Sequence, residues 1–482
     1  TTLTAAAGSV AIGAGAAAAL TIGTGTTVVG YQAGAALTEG LGNVAVGYQA
    51  LDAAVLSDNN TAIGHQALSA LASNNATGNN TALGYQAGLI LQHATTAVDN
   101  VIIGSGAAAA STTVGESVII GKGAVGTGTT LTAAAGSVAI GAGAAAALTI
   151  GTGTTVVGYQ AGAALTEGLG NTVVGYQALD AEDDGDFNTA IGYNSLTNQT
   201  GSSGAVGNTA VGYHSGQFAT TATESTYVGY LAAQGITARK LTGNFNTCVG
   251  AQAGLVLEGA AASNTLIGST AGDVITTGTQ NVCIGAGSDP SAVDGTNQIV
   301  IGQGATGQGD NKAIIGNTAI TEVWMSQDKG ADVYCSEVIE ISDKRLKKFI
   351  TETDLGLTFV NNLNPVSYKW KNPNKDTKTH YGLVAQDVLA TLDDLNDLNE
   401  DSSNIAIVNY DTNNDKYGLN YSGLIAPIVK ALQEQQVIIQ TQKDVIQQQQ
   451  DTIDKHSADI ELLKNKQIET EKQIHDILKR IN

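Results

Sequence analysis

The stretch NTVVGYQALDAEDDGDFNTAIGY, residues 171–193, carries the same five-residue phrase twice, as NTVVG at 171–175 and as NTAIG at 188–192. Further copies include SVAIG (9–13), NVAVG (43–47), NTALG (80–84), SVIIG (117–121), NTCVG (246–250) and NVCIG (281–285). The closing glycine marks 18 copies between Gly13 and Gly316. Most stand 17 residues apart, the others 20, 21, 18 or 14. Residues 1–53 recur at 129–181, differing only at Val44/Thr172 and Ala45/Val173. A fixed period of this length is the signature of a repeat architecture.

The physics of one unit is readable. The residue before the glycine is always Ile, Val or Leu, and the residue two places earlier is mostly Thr or Val. These two share a strand face, because side chains alternate with a period of two. The residue between them is also mostly apolar, which predicts a strand buried on both sides. So short a strand cannot stand alone, so each unit must stack on the next. The glycine permits a positive φ or a close backbone approach at the corner. The Asn, Ser or Thr that opens most units suits a turn. A coiled parallel ladder follows, one unit per turn, and 18 coils at roughly 4.8 Å each make a rod of about 85 Å. Burial on both sides of so thin a coil is met if each chain packs against copies of itself, three around an axis.

Composition agrees. The 482 residues include 60 Gly and only 4 Pro, and 5% are aromatic, too few to fill several large single-chain cores. Residues 1–341 carry 5 Lys and Arg against 22 Asp and Glu, so nucleic acid is excluded as a partner. Cys248, Cys283 and Cys335 form no CxxC. The first two lie two residues before a marker glycine and read as small packing residues. No run of 18 apolar residues and no signal peptide is present, so no membrane insertion is expected. The start reads as a cut made partway through a repeat array.

SVAIGAGAAA and the NTAIG units resemble the head repeats of trimeric adhesins of the YadA type, over about residues 1–317. That resemblance implies a left-handed parallel β-roll trimer. The units here are longer than is usual in those heads, so loops are expected to protrude, with residues 181–187 (AEDDGDF) and 214–224 as instances. Tyr follows the marker glycine at Tyr31, Tyr48, Tyr85, Tyr159, Tyr176, Tyr193, Tyr213 and Tyr230, with His65 replacing it once. This row reads either as platforms for sugars or as a structural stack. The acidic runs at 181–186 and 411–418 have calcium-like oxygen spacing but lack a closing bidentate Glu, and read as solvated loops. No metal and no cofactor is expected.

After Gly316 the character changes. Residues 318–341 read as a connector, and 342–423 as a small α+β domain rich in Lys and Arg. Three segments, SDKRLKKFITETDLGLTFVNNLNPVSYKWK (342–371), HYGLVAQDVLATL (380–392) and YGLNYSGLIAPIVKALQEQQ (417–436), carry its character. In this order they resemble the intramolecular chaperone domain of phage tailspikes and endosialidases, a self-cleaving serine peptidase family. The resemblance implies that Ser342 is the nucleophile, that Lys347 assists it, and that the bond cut is Ile341–Ser342. The chemistry asks for a base beside the hydroxyl. Lysine serves only as its neutral amine, which burial or neighbouring cations favour, and Arg345 and Lys348 are close in sequence.

Residues 424–482 read as one long helix. Ile425, Leu432, Ile439, Ile446, Ile453, Ile460, Ile474 and Ile481 keep a seven-residue register, broken by Gln467. The positions three later are largely polar, which predicts a coiled coil of limited stability, in keeping with a temporary trimeric clamp. The whole chain thus reads as mostly β: a trimeric β-roll solenoid shaft, then a small α+β chaperone domain ending in a coiled coil. The function implied is a bacteriophage tail fibre or spike within the virion. It would meet a host cell-surface receptor, such as a glycan, and attach to other virion tail proteins. Its chaperone would be released in the host cytoplasm. A bacterial surface adhesin, and a fibre whose chaperone stays on as a cap, are the alternatives. A glycan depolymerase would need a pair of carboxylates that does not stand out.

Overall fold

The computed structural model describes residues 7–71, 78–91, 97–126, 136–200, 204–325, 333–336, 338–371, 377–395, 405–412 and 415–481. The chain divides into two compact units, Thr1–Val323 and Trp324–Asn482.

The first unit is a long parallel β-solenoid. Eighteen three-residue strands, from Val10–Ile12 to Ala313–Ile315, form one sheet. Each pairs in parallel with its counterpart in the next copy, as in Thr172↔Thr189, Val173↔Ala190 and Val174↔Ile191. The ladder continues around each coil through such bonds as Gly162 N to Ala178 O (2.9 Å) and Ala145 N to Ala161 O (3.0 Å). In every strand but the first and the last the middle residue is buried in the coil: Val28, Ala62, Val173, Cys248 and Val300 are fully buried. Leu37, Leu68, Leu165 and Leu179 fill the opposite side of the same core. The two cysteines of the repeat are packing residues, and burial pushes both thiols well above their usual range.

The marker glycines are required twice over. From Gly13 to Gly302 their φ lies between 131° and 146°, a region that side chains do not tolerate. They also stack backbone on backbone: a Cβ on Gly268 would come within 2.6 Å of the Gly285 carbonyl carbon.

The asparagines that open the units do more than turn the chain. Asn43, Asn60, Asn80 and Asn100 are buried and stacked, and so are Asn246, Asn264 and Asn281. Asn264 Nδ2 donates to Asn246 Oδ1 (3.1 Å) and to Gly278 O (2.9 Å). Its Oδ1 accepts from Asn281 N (3.0 Å) and Asn281 Nδ2 (3.1 Å). One amide thereby satisfies groups on its own coil and both neighbours, which a buried polar side chain must do to avoid a net cost.

The expected protrusions at 181–187 and 214–224 are absent. Both segments lie within 17-residue coils and fold into them. Glu182 is fully buried and accepts from Gly185 N (3.0 Å), and Gly185–Asp186 pairs in parallel with Gly204–Ala205. Asp186 Oδ1 accepts from Leu169 N one coil away (2.7 Å). In the second segment Ser215, Ala219 and Ala222 are buried. Acidic composition suggested solvent, but carboxylates that take backbone N–H groups can be built into a coil.

The second unit is a small α+β region ending in a very long helix. Helices α1 (Leu357–Asn362) and α2 (Ala385–Asp393) accompany two antiparallel hairpins, Val366–Tyr368 with His380–Gly382 and Val408–Asp411 with Lys416–Leu419. Its core is Leu355, Phe359, Val388, Leu392, Ile407 and Leu424. Helix α3 then runs unbroken from Ile425 to Ile481, with only Pro427 and Ala431 buried. Packing of this helix on its own domain is therefore confined to its first turns. Among the described residues no helix is long and apolar enough to cross a membrane.

Candidate functional site

The segment after Ile341 folds locally. Asp343 caps a single 3₁₀ turn, Lys344–Leu346, its carboxylate accepting from Arg345 N (2.9 Å). Leu346 N and Lys347 N close the turn on Asp343 O (3.0 Å) and Lys344 O (3.2 Å). A turn of this size reverses the chain over few residues. It returns Lys347 alongside Ser342, and the Lys347 Nζ donates to Ser342 Oγ at 2.6 Å.

The surrounding charges differ from expectation. Arg345 was expected to repel the Lys347 cation, but it grips Asp343 instead, Nη2 to Oδ2 at 2.5 Å and Nε to both oxygens at 3.0–3.1 Å. Those bonds hold the Asp343 carboxyl below its ordinary range and raise the guanidinium. Its charge is thus countered at short range. Lys348 Nζ lies 5.5 Å from the centre of the Phe349 ring. The site is open in the single chain: Ile341 is 82% exposed and Phe349 87%.

Residues 342–397, beginning at that serine, match the sequence model of a family described as chaperone of endosialidase. The chain carries an endosialidase-type chaperone domain after its solenoid. Chaperones of this family are autoproteolytic, are typical of phage fibres and tailspikes, and act in trimeric fibres. No curated protein matches the chain.

Within the chaperone unit, long-range contacts escaped the sequence reading. Glu434 Oε2, on α3, accepts from Leu357 N at the start of α1 (2.7 Å), across 77 residues of sequence. Tyr421 OH accepts from Leu383 N (2.9 Å). Glu434 left one signal, as the lone carboxylate between Asp415 and Asp444. An open apolar groove of about 660 Å³ lies nearby, lined by Val360, Leu363, Val366, Tyr381 and Leu424 among others.

The other candidates lie on the shaft. The tyrosines form two stacks: Tyr31–Tyr48–His65–Tyr85, with centroids 4.8–5.4 Å apart, and Tyr159–Tyr176–Tyr193–Tyr213–Tyr230, at 5.0–5.5 Å. Their faces lie against one another, leaving mainly ring edges and hydroxyls outward, so a sugar cannot stack on the inner rings. Gln32, Gln49, Gln66 and Gln86 run beside the first stack, each amide bonded to the next at 3.0–3.2 Å. Glu182, Asp183 and Asp184 bring carboxylate oxygens within 4.8 Å of one another. The second acidic run includes residues 413–414, outside the described residues; its Asp415 Oδ1 accepts from Tyr410 OH (2.9 Å).

Proposed function

We propose that the chain is the shaft and folding device of a trimeric bacteriophage tail fibre, and that its chaperone domain frees itself by cutting Ile341–Ser342. The observation that carries the cleavage is the Ser342 hydroxyl 2.6 Å from the Lys347 amine, at the first residue of the chaperone match. The neutral amine of Lys347 takes the hydroxyl proton while Ser342 Oγ adds to the Ile341 carbonyl carbon. The C–N bond breaks, the Ser342 nitrogen leaves with a proton, and an ester joins Ile341 to Ser342 Oγ. Water opens that ester to give the Ile341 carboxylate and a free Ser342. No external substrate is consumed and each chain reacts once.

Trimerisation is supported by two rows of aliphatic side chains that a single chain leaves open. On the shaft these precede the marker glycines, and Ile12, Leu83, Ile267, Ile284 and Ile315 are 37–60% exposed. On α3 the row runs from Ile425 through Leu432 and Ile446 to Ile481, with 59–75% exposure at these four. Contiguous apolar stripes of this kind mark interaction surfaces, and a YadA-like β-roll trimer over a three-stranded coiled coil would cover both. The chaperone then fixes the phase of three repetitive shafts. Without it the duplicated segments could pair 128 residues out of step. The mature shaft belongs to the virion, attaches to other tail proteins, and offers its outer coils to a host receptor.

Intact mass tests this reading. Wild type is expected to yield fragments 1–341 and 342–482, while Ser342→Ala and Lys347→Ala stay whole. A wild type that remains whole as a trimer would make the domain a permanent cap and remove the peptidase step.

A further inference from the structure

We propose that His456, in three copies around the axis of the α3 bundle, forms a binding site for a divalent transition-metal ion of the Zn²⁺ class. The proposal rests on the trimeric reading above.

Helix α3 passes through this position without a break. His456 stands three residues after Ile453 and four before Ile460, both exposed in the single chain at 56% and 53%. It therefore lies on the same stripe, between two isoleucine layers. In a parallel three-stranded coil the residues of this stripe face the axis, so each layer consists of one residue met by two copies of itself. The layers before His456 at this heptad position are Gln435, Gln442 and Gln449, and the next is Leu463. His475, by contrast, directly follows the stripe residue Ile474 and falls off the axis.

The glutamine and histidine layers differ in what they can satisfy. A glutamine carries both an amide donor and a carbonyl acceptor, so three can bond in a ring. Three neutral imidazoles can each turn the acceptor nitrogen of one tautomer to the axis with the N–H outward, isoleucine layers above and below shutting out bulk solvent. Unpaired buried acceptors are costly. A cation on the axis satisfies all three at once, at about 2.0–2.1 Å per Zn–N bond, with a fourth position left for water. Neutral imidazoles select Zn²⁺, Co²⁺, Ni²⁺ or Cu²⁺ and not Mg²⁺ or Ca²⁺. Asp459, three residues on, supplies a carboxylate that can take the second ring N–H and orient the ring. An ion held this way ties the three helices together midway along a seam weakened by polar layers.

The test uses the full chain carrying Ser342→Ala, so that the tail stays attached, stripped of metal with chelator and sedimented to establish its mass. Added Co²⁺ is expected to bind at one ion per three chains, to give the visible absorption of a four-coordinate site, and to raise the Tm of the helix. His456→Gln, which repeats the residue of the preceding layers, should remain trimeric and lose all three responses. A trimer that binds no Co²⁺, or binds it equally well with His456→Gln, overturns the metal site and leaves the trimer standing. A chain that sediments as a monomer overturns both.

Discussion

The shaft and the tail helix bury their side chains by opposite means. In the shaft every coil finds partners one turn above and below within its own chain: backbone to backbone at the marker glycines, amide to amide along the asparagines. In α3, 57 residues bury only Pro427 and Ala431, and the isoleucines of its register stand in solvent. The shaft therefore holds its coils by contacts the single chain already makes, while the tail helix beyond its first turns buries nothing within its own chain. A fibre needs both kinds, because a structure that repeats along its length has no internal means of choosing its phase.

The comparison breaks most sharply at a marker glycine. Gly175→Ala demands φ near 146° from a residue with a side chain and drives the new methyl into the Gly192 backbone. The cost is expected to exceed about 3 kcal/mol. The thermal midpoint of the shaft, followed by strand circular dichroism, should fall steeply, and an unchanged midpoint would mean the backbone stack is not required. Next comes Asn264→Ala, which orphans the Asn281 backbone N–H and the Gly278 carbonyl and leaves Asn281 Nδ2 only its bond to Gly295 O. A loss of about 2–4 kcal/mol is expected, read in the same melt; a loss below roughly 0.5 kcal/mol would reduce the ladder to a packing detail. Smallest for the single chain is Ile446→Asn. The residue is 63% exposed, so the isolated helix should scarcely notice. In the proposed trimer the same change would remove a buried isoleucine from each strand, about 2 kcal/mol per chain. Sedimentation at several concentrations should show the trimer dissociating at higher protein concentration than wild type, and identical curves would deny this seam its role.

Much of the shaft was legible because its rules are local and repeated. A period, an aliphatic residue before each glycine and an apolar residue between flanking Thr or Val were enough to fix strand positions and stacking. Two-sided burial was half right. Val28 or Ala62 is buried within the coil, but the residues flanking the middle position are left half-open by a single chain. The asparagines were read as turn residues because their local chemistry allows it. Most of their partners lie 14 to 20 residues away, beyond any local rule. The acidic 181–187 segment misled in part for the same reason, since the Asp186 carboxylate bonds to Leu169 N one coil away.

In the chaperone domain the pairing of Ser342 with Lys347 came from the family resemblance of the flanking segments; spacing alone reads as a solvated charged turn, and the structure sets Nζ 2.6 Å from Oγ. The grip of Arg345 on Asp343 could have been read from their i, i+2 spacing in that turn. Glu434 at the start of α1 could not, because 77 residues separate it from Leu357.

The direction of the hydrogen bonds in the solenoid gives the shaft a mechanical character. They run along the rod, so a pull on its ends loads them one coil at a time instead of shearing many together. Each coil that peels away frees 14 to 21 residues, most often 17, at about 3.3–3.6 Å of contour apiece. A stretched shaft should therefore lengthen in a staircase, with steps of roughly 55 Å for the 17-residue coils and roughly 65 Å for the 20-residue coils. A particle tethered through such a shaft would be held by a spring that yields in small, countable increments and takes up each tug without letting go.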